Sequence, residues 1–343
     1  MKKNLRNILT LALGFVTVIA TAQSWDADSR TRVDMGGDND QFTTEQRISL
    51  GASWGGNGWG INVSGNANYD LGGNAISLDW NEAYATTDLM GYATVAIGRQ
   101  ALEYGNGQLI GANDWAANPN TRDGGVFTIA NDMMDLDFGI YNNNSGALNE
   151  ETQSDYFVNA SKSDGDWSVN LTYISNTDET NALGLDFGYA MMGGDLDLAV
   201  SYNTATDSID MDFMSLGATY NVNDNISISG TRTTYGDNGF SWGGSNYGDG
   251  AASWGTHGNM GYLGANDEDL SLGLTYGSGD FTLGIAMHKV TNANDDTYER
   301  NVTEANLNYT MSDNANVGIR YATDNNGTAD DTKYMWLTLS VTP

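Results

Sequence analysis

Ala182-Leu183-Gly184-Leu185-Asp186-Phe187-Gly188-Tyr189-Ala190-Met191, then Met192-Gly193-Gly194, then Asp195-Leu196-Asp197-Leu198-Ala199-Val200-Ser201-Tyr202-Asn203: these residues decide the fold. Leu183, Leu185, Phe187 and Tyr189 alternate with small or polar residues, and Leu196, Leu198, Val200 and Tyr202 repeat the pattern after the glycine-rich break. Period-two alternation sustained over about ten positions describes a strand with one apolar and one wet face. So short a break leaves room only for a hairpin turn, which makes the two strands antiparallel neighbours.

The same grammar extends in both directions. Ile61, Val63, Ala67 and Tyr69 alternate with asparagines and Ser64, Trp167 to Tyr173 repeat the pattern, and Leu270 to Tyr276 repeat it again. Working outward predicts strands near 26–35, 43–54, 59–69, 75–86, 92–100, 125–131, 135–142, 154–162, 167–175, 182–191, 195–203, 210–221, 225–235, 268–277, 280–290, 301–311, 315–323 and 333–342. That is eighteen strands, with sixteen as the alternative count. Connections at 55–58, 87–91, 132–134, 163–166, 192–194, 222–224, 278–279 and 312–314 are short, whereas those around 101–124, 143–153, 236–267, 291–300 and 324–332 are long. Short and long connections in alternation belong to an up-and-down barrel whose two ends meet different surroundings, and a soluble sandwich has no reason to show them. The predicted fold is therefore an all-β, transmembrane, antiparallel up-and-down β-barrel formed as one domain by residues 23–343.

Composition agrees. Lys2, Lys3 and Arg6 precede an apolar run from Ile8 to Ala20 and the small-x-small Ala20-Thr21-Ala22, so residues 1–22 are expected to be a secretory signal peptide. Its removal leaves 11 basic residues against 44 acidic ones, a net charge of about −33, and a field of that sign excludes nucleic acid as a partner. Cysteine is absent, so no disulfide or thiolate metal site exists. Thirty-six aromatic residues and 43 glycines against two prolines suit aromatic girdles and tight turns. The expected setting is the outer membrane of a Gram-negative bacterium.

If apolar side chains face lipid, the alternate phase faces the lumen, and its charges meet whatever passes. Parity turns Arg30, Arg32, Arg47 and Arg320 inward on strands that adjoin the barrel seam, and Asp79, Asp137, Asp186 and Asp197 inward on other strands. Opposed walls of this kind would lay a field across the pore. Glu82 and Arg99 fall on the apolar phase, which a bulge or a rim position would reconcile. No cofactor is expected. The outer-loop acids Asp295, Asp296, Asp330 and Asp331, with others such as Asp38, Asp40, Asp178 and Glu179, are hard oxygen ligands of the kind that could hold calcium, but they form no twelve-residue EF-hand pattern and read equally as a solvated acidic face.

The segment from Gly98 to Gly125 is the one stretch that is neither alternating strand nor ordinary turn. Tyr104-Gly105-Asn106-Gly107 makes a tight turn, Asn118-Pro119-Asn120 breaks any strand, and Trp115 with Asp114, Arg122 and Asp123 can tie the loop to the wall. Arg99, Asp114, Trp115, Arg122 and Asp123 join the constriction candidates. Asn81-Glu82-Ala83-Tyr84, Gly98-Arg99-Gln100, Tyr104-Gly105, Leu109-Ile110-Gly111, Asp114-Trp115 and Arg122-Asp123-Gly124 together resemble the alginate export family of outer-membrane porins over residues 79–128. The resemblance implies an eighteen-stranded barrel and passage of an anionic polysaccharide.

The charge balance points instead to passive diffusion of small hydrophilic solutes or ions, biased toward cations. Selective passage of a sugar or anionic polysaccharide is the alternative. A third class is a non-conducting barrel subunit, or a homotrimer or larger outer-membrane assembly. The loop at 236–267, with Trp242, Tyr247, Trp254 and Tyr262, offers an aromatic surface for a sugar or a partner. No enzyme is expected, since neither His257 nor His288 is followed by a serine two residues on.

Overall fold

A computed structural model describes residues 24–35, 42–112, 116, 118–142, 154–176, 180–207, 209–240, 242, 263–325 and 331–342. The expected leader, Asp38, Asp40, Asp114, Trp115, Asp178, Glu179, Tyr247, Trp254, His257, Tyr262 and Asp330 lie outside them.

The first nine strands are β1 (Ser24–Asp34), β2 (Thr43–Gly56), β3 (Trp59–Tyr69), β4 (Ile76–Asp88), β5 (Thr94–Gln100), β6 (Arg122–Ala130), β7 (Asp135–Asn142), β8 (Ser154–Asp164) and β9 (Trp167–Asn176). The remainder are β10 (Asn181–Met191), β11 (Leu196–Asp207), β12 (Ile209–Asn223), β13 (Ile226–Tyr235), β14 (Asp267–Ser278), β15 (Phe281–Asn292), β16 (Asp295–Ser312), β17 (Ala315–Asp324) and β18 (Thr332–Val341). Each strand pairs antiparallel with its neighbours in sequence, and β1 pairs with both β2 and β18, so the eighteen-stranded sheet closes on itself. Closure removes every edge strand, which is what a sheet needs to stand in lipid.

Alternation sorts the side chains as expected. Leu183, Leu185, Phe187 and Tyr189 of β10 project outward, and so do Ile97 of β5, 64 % exposed, and Leu270, Leu272 and Leu274 of β14. Register brings Tyr189 beside Trp167, and Phe281 stacks on Tyr309 with ring centres 4.5 Å apart. These aromatics gather near the short-turn end, where an interfacial girdle belongs.

A bulge resolves one misfit of phase. β3 and β4 shift register between Val63 and Gly65, so that Gly65 faces Trp80 while Val63 faces Ala83. The extra residue of β4 swings Glu82 onto the lumen side, where its carboxylate accepts the Ala101 amide at 3.0 Å.

Two expected boundaries are corrected. β6 begins at Arg122 rather than 125, so the long loop spans 101–121, because Gly124-Gly125 lies within the strand instead of ending a turn. A Cβ on Gly124 would sit 2.1 Å from the Ile140 carbonyl oxygen, so the missing side chain lets β6 and β7 approach closely. The expected loop at 291–300 is mostly strand: β15 ends at Asn292 and β16 begins at Asp295. Buried Val290 and Val302, with a two-pronged Arg300–Asp324 pair at 2.8 and 2.5 Å, hold this extension despite its polar composition.

The core lies inside the barrel, toward the long-loop end. Tyr141, Phe157, Ile174, Ala182, Phe213, Tyr235, Val290 and Val302 point inward there, and Leu109, Ile110, Phe240, Trp242 and Leu263 from the loops cover them. The expectation of a uniformly wet inner face thus fails at this end, because infolded loops supply apolar cover. Trp242, expected on an exposed aromatic surface, is 4 % exposed and packs in this cluster.

Candidate functional site

The site is assembled around residues 101–112, 116 and 118–121 of the loop that follows β5 at the long-loop end, which lie in the lumen. Tyr104 and Ile110 form a miniature bridge, with the Tyr104 amide donating to the Ile110 carbonyl at 3.0 Å and the Gly107 amide to the Tyr104 carbonyl at 3.1 Å. Gly105 has φ +59°, and a Cβ there would come 2.0 Å from an Asp186 oxygen. The turn needs glycine on both counts. Leu109 and Ile110 are 2 % and 0 % exposed. Burial of two such side chains stabilises the docked loop by about 3–6 kcal/mol before its ordering entropy is subtracted.

Polar ties fix the loop's position. The Tyr104 hydroxyl donates to Asp137 of β7 at 2.8 Å, and the Asn106 amide donates to Asp186 of β10 at 3.1 Å. Ser201 of β11 donates to the other Asp186 oxygen at 2.5 Å. Burial and the nearby Asp137 carboxylate push the Tyr104 hydroxyl well above the ordinary tyrosine range, so it stays protonated and donating. Arg122 is buried at the base of the loop: it donates to the Leu102 and Gly111 carbonyls, each at 3.4 Å, and lies over the Tyr141 ring at 5.4 Å. It staples the loop and does not face the passage.

The far end of the loop reaches the other side. Arg30 of β1 and Arg47 of β2 donate to the Ala116 carbonyl at 2.8 and 3.5 Å. Asn118 accepts from Asn68 at 2.6 Å and donates to Asp79 at 3.2 Å. β1 and β10 stand nine strands apart in a ring of eighteen, so the loop is fastened to walls that face each other. It therefore spans the lumen and narrows it.

The arginine wall forms as parity required. Arg30 lies opposite Arg47 in the β1–β2 register, Arg32 lies opposite Glu45, and Arg320 comes from β17, two strands from β1 around the ring. Arg32 is close enough to feel the charges of Arg30, Arg47 and Arg320. Carboxylates stand among them: Glu45 serves Arg30 at 3.0 Å and Arg32 at 3.8 Å, Asp28 serves Arg47 at 3.7 Å, and buried Glu304 of β16 lies close enough to act on Arg320. Like charges repel at this range, and the backbone register, the Ala116 carbonyl and the Glu45 and Asp28 carboxylates hold them together.

The opposing acids are placed differently from the expectation. Asp137, Asp186 and Asp79 face inward, but each is engaged by the loop, and Asp197 lies near the short-turn end where Asn221 donates to it at 3.5 Å. Arg99 and Asp123 are not pore-lining at all. They pair at 2.7 Å across β5 and β6 on the outward phase shared with Ile97, with side chains 39 % and 55 % exposed. Their position at the strand ends beside the loop is the rim alternative for the Arg99 misfit.

Among the described residues no group of three or more acids or histidines is arranged to hold a metal. Asp295 begins β16 and turns its carboxylate to its own chain, accepting from the Thr297 amide at 3.0 Å and hydroxyl at 2.6 Å. Asp296 and Asp331 are exposed. His288 is nearly buried, with Nδ1 3.1 Å from an oxygen of Asp269. Sequence reasoning missed the inward apolar cluster, although Ile174, Phe213 and Val290 stand on the wet phase of their strands. It also missed Tyr334 and Trp336, which stack at 5.7 Å on the inward phase of β18.

No protein-family model matches the sequence, and no curated protein matches it. Solved structures do. OpdQ of Pseudomonas aeruginosa superposes with a TM-score of 0.73 at 17 % identity, covering 94 % of this chain and 99 % of that one. OccK11 (OpdR) of the same organism gives 0.72 at 14 % identity, covering 93 % and 95 %. OccK2 (OpdF) in complex with glucuronate gives 0.72 at 15 % identity, covering 94 % and 98 %. At these identities the likeness establishes the fold. The resemblance to the alginate export family is overturned, because the neighbours are OccK and Opd porins and the matching residues are explained by packing: Gly105 turns the loop, Leu109 and Ile110 bury it, and Arg122 staples it. The chain has the closed eighteen-stranded fold of the outer-membrane porins.

Proposed function

We propose that this protein is an outer-membrane channel through which small hydrophilic solutes diffuse passively, with small anions, carboxylates foremost, preferred at the arginine wall. The carrying observation is the gathering of Arg30, Arg32, Arg47 and Arg320 on one side of a lumen narrowed by residues 101–121, with two carboxylates, Glu45 and Asp28, in salt bridges to them. Of the lumen acids farther round the ring, Asp79, Asp137 and Asp186 are bound to the loop and Asp197 lies toward the short-turn end. A local positive field at the narrowest level outweighs a negative excess spread over the whole surface, since screening at physiological salt acts within about 8 Å. The cation bias inferred from net charge is replaced on that ground. OccK2, which shares the fold, is known in complex with glucuronate, a small organic anion. A spanning, multiply anchored loop disfavours a bulky polymer.

Reversal potentials in planar bilayers test the reading. Wild type is expected to favour chloride and acetate over potassium. Arg47→Ala or Arg320→Ala is expected to lower the anion-to-cation ratio about fivefold, since one unit charge roughly 5 Å from the ion path in water, screened over about 10 Å, acts in opposite directions on the two ions. Unchanged ratios in both variants would remove the wall from the mechanism.

A further inference from the structure

The outward face of the barrel departs from plain apolar cover over β11 to β15. Ala218 and Gly230 are register partners on the lipid-facing phase, and Leu198 and Leu272 flank them in the same row. Two small residues side by side leave a dip in the sheet surface. With Leu216 and Leu270 on its long-loop side, the dip is a groove of about 410 Å³ that ends at Arg232. Arg232 stands at the edge of the apolar band. On the outward phase of β15, Phe281, Leu283, Ile285 and Met287 are exposed and lead up to Lys289. Strand rise and tilt put Lys289 about 20 Å from Phe281 along the membrane normal, close to the roughly 25 Å of an outward apolar band. Leu270 lies in register with both Arg232 and Lys289, so the two cations share one level, about 10 Å apart at Cα. In the next row toward the rim the outward positions turn polar, at Thr234, Glu268, Thr291 and Glu299.

We propose that this groove and its two cations form a binding site for a phosphate-headed acyl-chain lipid at the long-loop rim of the membrane. Arg232 gives two N–H groups to Glu268, at 2.9 and 2.7 Å, and the Lys289 ammonium lies 3.1 Å from a Glu299 oxygen. A guanidinium carries five donors and an ammonium three, so both keep donors for a second acceptor. The two basic side chains are 56 % and 55 % exposed, open to the headgroup layer. Glu268 and Glu299 belong to the row nearer the rim, so a headgroup whose chains lie in the apolar band meets the cations first. Arginine holds phosphate through paired, charge-assisted hydrogen bonds. Lipid tails are as apolar as leucine, so filling the groove gains close packing and no transfer from water. The phosphate therefore supplies most of the selectivity, and the groove sets where the chain lies.

Native mass spectrometry of the whole barrel, released from nonionic detergent, reads lipid occupancy directly. Dioleoyl phosphatidic acid is expected to bind once per chain and about tenfold more tightly than dioleoylglycerol, which has the same chains without the phosphate. Arg232→Gln/Glu268→Gln removes one cation without orphaning a carboxylate, and is expected to lower that preference about threefold. Adding Lys289→Gln/Glu299→Gln is expected to abolish it. Ala218→Leu, which fills the groove and leaves the cations, is expected to weaken both lipids about threefold. Heat-modifiable gel migration identifies the folded variants, and the comparison of the two lipids on wild type decides the phosphate contact should a variant misfold. Equal binding of the two lipids to wild type, or an undiminished preference in the folded variants, would overturn that contact. Displacement of phosphatidic acid by inorganic phosphate at equal concentration would overturn the lipid in favour of a free anion. Lipid binding untouched by Ala218→Leu would remove the groove from the site, and dimers in place of lipid adducts would overturn the lipid as occupant.

Discussion

Gly105 shows how narrowly single residues position the loop. Its φ of +59° and the 2.0 Å approach of Asp186 leave no room for a methyl group. Gly105→Ala is expected to cost about 1–3 kcal/mol of loop docking and to appear as fast flicker in open-channel current, with the folded barrel still formed. Tyr104 gives the loop a pH response. Its hydroxyl is held above the ordinary tyrosine range by burial and by Asp137, so the docked loop keeps a proton that the undocked loop loses once pH passes about 10. Docking is then fully stable below that pH and weakens by about 1.4 kcal/mol per pH unit above it. Proteolysis of the 101–121 loop should accelerate above pH 10 in wild type, and Tyr104→Phe should abolish that acceleration.

At the scale of elements, the loop and the strands behave as separable layers. The strands owe their place to closure and lipid-facing alternation, whereas the loop owes its place to Leu109 and Ile110 and to its polar ties. Ile110→Ala is expected to cost about 2–5 kcal/mol, confined to the loop. Faster protease cleavage within 101–121, with unchanged heat-modifiable migration, is the expected result, and loss of the folded barrel would show the layers to be coupled. The strands were largely legible in the sequence because their period is two and their turns are short. Boundaries failed where composition misled: Gly124 reads as a turn but permits close strand approach, and Asp295-Asp296 reads as a loop but starts β16.

For the whole molecule, the proposed selectivity rests on the field across the narrowed lumen, and salt tests it. Anion preference should fall toward unity between about 0.1 and 1 M potassium chloride as the screening length shortens from about 10 to 3 Å. A preference that persists at high salt would point to steric or contact selection instead. Parity in the sequence was enough to place Arg30, Arg32, Arg47 and Arg320 on one wall, because each strand position fixes a face and the first and last strands of a closed barrel adjoin. It was not enough to say which acids remain available. Asp79, Asp137 and Asp186 are drawn off by Asn118, Tyr104 and Asn106, partners far from them in sequence whose meeting depends on how the loop folds.

The chain's alternation, turn spacing and aromatic placement determined an eighteen-stranded barrel and an arginine-bearing wall, since these follow from local periodicity and from closure alone. Tertiary structure alone decided that the loop crosses the lumen, that apolar side chains fill part of the inner face, that Asp123 pairs with Arg99 away from the passage, and that Trp336 stands beside Arg320. Those outcomes depend on contacts between residues widely separated along the chain, and no local period encodes them.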